Sequence, residues 1–159
     1  MNKVQLAAGL LGFSALTLSG CGESAPTEEV APEAVPGLSV TDGRMVLAAV
    51  EGNPAAVYFN LAYDGDRGLA LNRVAVEGAE DATFHQYGEM DFQVEMMEMS
   101  PSPLKKGTKL EFKPGSQHVM ATGVSPDLKP GGTTEVTLIV SGGDKLSFPV
   151  EILAAGDAR

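Results

Sequence analysis

The sequence predicts an all-β domain, and three observations carry that prediction. No long stretch repeats apolar residues at helical spacing, several short runs alternate apolar and polar residues, and Gly, Pro, Asn or Asp separate the runs. In chain order the candidate strands are 44–50, 56–63, 69–76, 82–87, 92–99, 108–112, 117–122, 133–140 and 145–152. Asp64-Gly65, Lys113-Pro114-Gly115, Lys129-Pro130-Gly131-Gly132 and Ser141-Gly142-Gly143-Asp144 punctuate them, supplying Pro-fixed or positive φ. In the last strand Leu146, Phe148, Val150 and Ile152 point one way, the pattern of a half-buried strand. Its hairpin partner, with Val136, Leu138 and Val140, closes the core. Short strands at this spacing belong to a β-sandwich or barrel.

The N-terminus reads as a secretory signal over 1–20: Lys3 is the positive n-region, Leu6 to Leu18 the apolar run, and Leu18-Ser19-Gly20-Cys21 the end. That last tetrapeptide resembles the box of bacterial lipoproteins, in which the cysteine is lipidated and becomes the new amino terminus. The resemblance implies anchoring through Cys21 on the periplasmic side of a bacterial membrane, inner or outer. The apolar run is too short to cross a bilayer. Residues 21–37 then form a tether, because Ser, Thr, Pro, Ala and glutamates leave little to bury. The folded domain occupies 38–154, the size of one small core, and 155–159 is a tail. The formal charge is -10, and cleavage would remove Lys3 and make it more acidic by one. Nucleic acid is excluded as a partner on this balance, whereas a cation or a basic protein surface suits it.

Chemistry concentrates in His85, Met96, His118 and Met120, within a methionine-rich stretch that also holds Met90, Met97 and Met99. Thioether is a poor donor to hard cations, so Met beside His selects a soft ion, with Cu(I) first. Zinc would want thiolate or carboxylate next to the imidazoles. The sole cysteine, Cys21, is spent at the lipid site. His118 and Met120 are two apart, so an extended strand projects both from one face, with Cα atoms about 6.5 to 7 Å apart. Lys113-Pro114-Gly115 places them near a strand entrance at the sandwich edge. A hairpin through Gly88 brings His85 and Met96 toward the same end. Alternation sets Met96 with Phe92 and Val94, and Met97 and Met99 with Gln93 and Glu95, so Met96 is either core at one end or a ligand at the core's mouth. Met90, Met97 and Met99 are candidate auxiliary or exchange ligands, and Met97 and Met99 are also rivals of Met96 for the ligand position.

His, ten residues, Met, twenty-one residues, then His-x-Met, with Lys113-Pro114-Gly115 before and Leu128-Lys129-Pro130-Gly131 after, resembles the PCu(A)C family of periplasmic copper chaperones. Ala55-Ala56-Val57-Tyr58-Phe59 is similar to that family's early Ala-Ala-x-Tyr strand. The chain departs from the family at Met97-Glu98-Met99, where Arg-Pro is usual, and at Ser116-Gln117, where Gly-Tyr is usual. The resemblance implies a cupredoxin-like Greek-key β-sandwich whose exposed end binds Cu(I) through His85, Met96, His118 and Met120. It also implies a copper-accepting partner, such as cytochrome c oxidase subunit II or another copper chaperone.

No catalytic set is expected: a Ser-His-Asp triad, a reactive mature thiol and a phosphate-cradling loop are all missing from the pattern. A blue-copper electron carrier would need a Cys beside two His. Two readings stand beside the chaperone: a structural or interaction lipoprotein with a Met-rich contact face, and copper storage or detoxification without a dedicated acceptor.

Overall fold

The computed structural model describes residues 34–157 apart from Asp91. The signal segment, Cys21 and the tether up to Glu33 lie outside the described residues. The strands are β1 (Leu38–Val46), β2 (Ala55–Tyr63), β3 (Leu69–Val76), β4 (Asp81–Met90), β5 (Gln93–Glu98), β6 (Ser102–Leu104), β7 (Thr108–Phe112), β8 (His118–Thr122), β9 (Thr133–Val140) and β10 (Lys145–Leu153). No helix occurs among the described residues.

All ten strands are hydrogen-bonded in the order β5-β4-β8-β2-β1-β10-β9-β3-β6, and β7 pairs β2 off this path. β8 takes the first half of one side of β2, at Ala55 to Val57, and β7 takes the second half, from Phe59 to Tyr63. β1 and β10 run parallel, and the other pairs are antiparallel. The sheet folds over on itself as a cupredoxin-like Greek-key β-sandwich. Its one core joins Val57, Phe59 and Leu61 of β2, Phe84 of β4 and Val119 and Ala121 of β8 to Leu71, Val136, Leu138 and Val150 of the facing strands. Phe59 stacks on Phe112 with ring centroids 4.4 Å apart and meets the edge of Phe148 at 5.4 Å, which ties β2, β7 and β10 together.

The closing hairpin pairs Leu146 with Leu138 and Phe148 with Val136, in the register that alternation predicts. Three local differences from the sequence reading have physical causes. β1 starts at Leu38 rather than at residue 44, because the strand continues through a bulge at Asp42-Gly43. Asp42 sits at φ 57, and its carboxylate accepts hydrogen bonds from Asn60 Nδ2 (2.8 Å) and Thr41 Oγ1 (3.0 Å). The same strand ends at Val46, and the apolar run beyond it leaves Val50 exposed above a turn closed by Asn53 N–H to Val50 C=O. β6 escapes sequence reading because Pro101-Ser102-Pro103 looks like a breaker; Pro103 is tolerated because β6 is an edge strand. Packing begins at Val35, which is only 2% exposed and accepts a turn hydrogen bond from Leu38.

Candidate metal centre

The register of three neighbouring strands assembles the site. On β4 and β8, His85 lies directly opposite His118 and Thr83 opposite Met120. On the other side of β4, Tyr87 lies opposite Met96 and His85 opposite Glu98. Because side chains alternate along strands, these residues share one face. It is the outer face: the intervening Phe84, Val119 and Ala121 are buried in the core. The face continues onto β2 and β1, where Ala56 is across from Met120 and Tyr58 is across from Arg44. The cluster therefore sits on the outer surface of the sheet beside its β5 edge.

The hairpin carrying Met96 differs from the expected one. Gly88 is not its turn but a mid-strand residue paired with Glu95, and the pairing continues to Met90–Gln93. A side chain at Gly88 would collide with Met97, whose Sδ and Cε lie 2.9 Å from where a Cβ would stand. Glycine here lets the Met97 thioether lie flat against β4, on the face opposite His85. Met99 donates its N–H to Phe84 C=O and packs against the core. Met96 is 45% exposed and is not core. The Met90 side chain lies outside the described residues.

His118 is polar, opens strand β8 and is only 6% exposed. Its neighbours explain the burial. Tyr87 (ring centroid at 5.8 Å), His85 (6.0 Å) and Tyr58 (6.4 Å) surround the imidazole, and Arg44 caps Tyr58 from 5.3 Å above its ring. The His118 Nδ1 lies 3.0 Å from the Ser116 carbonyl, which can only accept, so Nδ1 carries the proton and Nε2 the lone pair. Backbone orientation of one ring nitrogen is the usual arrangement for a ligating imidazole.

At His85, Nε2 is 2.8 Å from Thr83 Oγ1, while Nδ1 is buried with no hydrogen-bond partner. A buried unpaired ring nitrogen costs free energy unless something binds it. Burial pushes the His85 pKa down, His118 pushes it further, and Glu98 across the strand opposes both. The imidazole is thus held neutral, the form that ligates metal. Tyr58 is raised above its ordinary value by burial and by Tyr87, against the pull of Arg44, so its phenol stays protonated.

His85 and His118 are thus brought side by side, with Met120 one diagonal step away on β8 and Met96 one diagonal step away on β5. With strands about 4.8 Å apart and a rise of about 3.3 Å, the two methionine Cα atoms are on the order of 16 Å apart in a flat sheet. The thioethers flank the imidazole pair from opposite sides. The donors fit a soft ion: two imidazoles and two thioethers, with no group of three His, Cys, Asp or Glu among the described residues. Thr83, Tyr87, Tyr58, Arg44 and Glu98 were not singled out by sequence as part of the site. The available signal was parity: Thr83 and Tyr87 stand two residues to either side of His85.

Comparison with solved structures places this architecture in a class. The copper-bound PCuAC domain from PmoF2 superposes with a TM-score of 0.60 at 16% identity, over 78% of this chain and 98% of that one. Apo-DR1885 from Deinococcus radiodurans gives 0.60 at 19% identity, over 94% and 100%. The CuI form of DR1885 gives 0.52 at 24%, over 80% and 85%. The fold is that of the PCuAC domains. The chain belongs to the LpqE-like lipoprotein family, whose sequence pattern matches residues 38–152. No curated protein matches the sequence.

Proposed function

We propose that this chain is an extracytoplasmic copper chaperone, not an enzyme, that holds one Cu(I) on its outer sheet face and yields it by ligand exchange. His85, His118 and Met120 form the preset part of the site, and Met96 completes it when the β4–β5 hairpin bends toward β8. The observation that carries this reading is the register that sets the neutral His85, with its unpartnered ring nitrogen, directly opposite a backbone-oriented His118. The likeness to PCuAC domains solved with copper supports the choice of ion. Membership of a lipoprotein family supports anchoring through Cys21 at the periplasmic face of a membrane.

The same geometry supports transfer. Single thioethers hold copper weakly enough to be displaced in turn, and a site on an open sheet face lets an acceptor reach the ion. The dinuclear copper centre of cytochrome c oxidase, or a second copper chaperone, is the acceptor this reading favours. Competition of the mature domain with a colorimetric Cu(I) chelator tests the site. One equivalent should be withheld from the chelator by the wild type and released by a His118→Ala, Met120→Ala double variant. Undiminished retention by that variant would refute the assignment.

A further inference from the structure

The described residues leave five large apolar side chains exposed, and four of them cluster on the β4–β5 hairpin: Tyr87, Phe92, Val94 and Met96. Phe92 is 97% exposed and Val94 74%. Val94 pairs with Glu89 and Met96 with Tyr87, so both continue the face that carries His85. Phe92 also adopts φ 63, a region that disfavours a bulky L-residue. Folding of the domain gains nothing from an exposed Phe in a strained turn, and such an outlier is a pointer to function.

The charges on the two hairpin strands have one sign where they face the patch. Glu89 and Glu98 share its face, Glu95 lies on the opposite side of the same strand, and neither β4 nor β5 carries Lys or Arg; Arg44 of the same face lies on β1, beyond β8 and β2. β5 is also an edge strand, open along its outer side. Two copies meeting here would oppose like charges on chains of formal charge -10, and an anionic lipid surface would be repelled too. A basic protein surface with an apolar centre complements the hairpin.

We infer that the β4–β5 hairpin is the docking surface for the copper-exchanging partner, and that it recognises a protein whose soft copper ligands are ringed by Lys or Arg and apolar residues. This rests on the copper reading above, since Met96 belongs both to the patch and to the metal set. Docking on Phe92 and Val94 brings the partner's thiols beside the most exposed copper ligand. Copper then moves without changing oxidation state: two acceptor Cys bind as thiolates, their protons pass to solvent, and the methionine and histidine ligands are released.

Two synthetic peptides provide the test, each with the same pair of Cys, one flanked by Lys and Leu and the other by Glu and Ser. The Cu(I)-loaded protein should transfer copper at least tenfold faster to the basic peptide, with the advantage falling as salt rises. A Phe92→Asn, Val94→Ser variant should lose most of that advantage, and Glu89→Lys, Glu95→Lys should reverse it, while extraction by a small chelator is unchanged. Fluorescence anisotropy of labelled Cys→Ser peptides with metal-free protein reads docking independently. Failure to load copper would overturn the copper reading and leave this second measurement to decide the hairpin. Equal binding of the two peptides, or hairpin-dependent self-association of the chain in sedimentation, would overturn the docking surface.

Discussion

β8 and β5 both flank β4 and both present methionine to the same face, yet they are built differently. Along β8 the residues beside His118 and Met120 are Val119 and Ala121, fully buried, so the two proposed ligands stand on the core. Along β5 nearly every side chain is exposed, and only Met97 is half covered. One side of the site is positioned by packing, and the other by a hairpin with little behind it. For the proposed copper carrier both are useful: a preset half would keep the ion, and a loosely supported half would let a partner in.

The difference is exposed most strongly by removing each thioether. Met120→Ala should weaken Cu(I) about 100-fold and Met96→Ala about tenfold, or roughly 2.7 against 1.4 kcal/mol, measured by chelator competition. Equal losses would mean that the two sides hold copper alike. Folding stability gives the next contrast. Val119→Ala should cost about 1 to 2 kcal/mol in denaturant unfolding through a lost core methyl pair, whereas Val94→Ala should stay within about 0.5 kcal/mol. A large effect at Val94 would show that the hairpin is packed after all.

The smallest effect concerns pH. Because burial and His118 lower the pKa of His85, its neutral form persists below the ordinary value of about 6.5. Copper affinity should therefore fall only gently as pH drops to about 6.5, and the contribution of His85 should be lost once pH passes below its lowered pKa. Replacing Glu98, which opposes that shift, by Gln should move the loss to slightly lower pH. Competition titrations from neutral to mildly acid pH follow both.

Much of the fold was legible because period-two alternation is strong where one face is buried. β2, β9 and β10 were readable from Val57, Phe59 and Leu61, from Val136 and Leu138, and from Val150 and Ile152. The parity of His118 and Met120 was readable for the same reason. Legibility failed where local chemistry and tertiary context disagree. Asp42-Gly43 has turn composition but forms a bulge, and Gly88 looks like a turn glycine but makes room for Met97. The side of the sheet that holds the site was also illegible. His118 does open β8, at a strand entrance as expected, but only pairing between β4 and β8, distant in sequence, fixes the outer face. Alternation could say that Met96 and Met97 point apart, and only the register with Tyr87 and Gln86 shows which of them faces His85.

We propose that one Cu(I) is shared by imidazole from β4 and β8 and thioether from β8 and β5. X-ray absorption at the copper edge of the Cu(I)-loaded domain tests it most directly by counting scatterers. Two nitrogen and two sulfur neighbours are expected, falling to one sulfur in Met96→Ala or Met120→Ala. A shell without sulfur, or one unchanged in both variants, would contradict it.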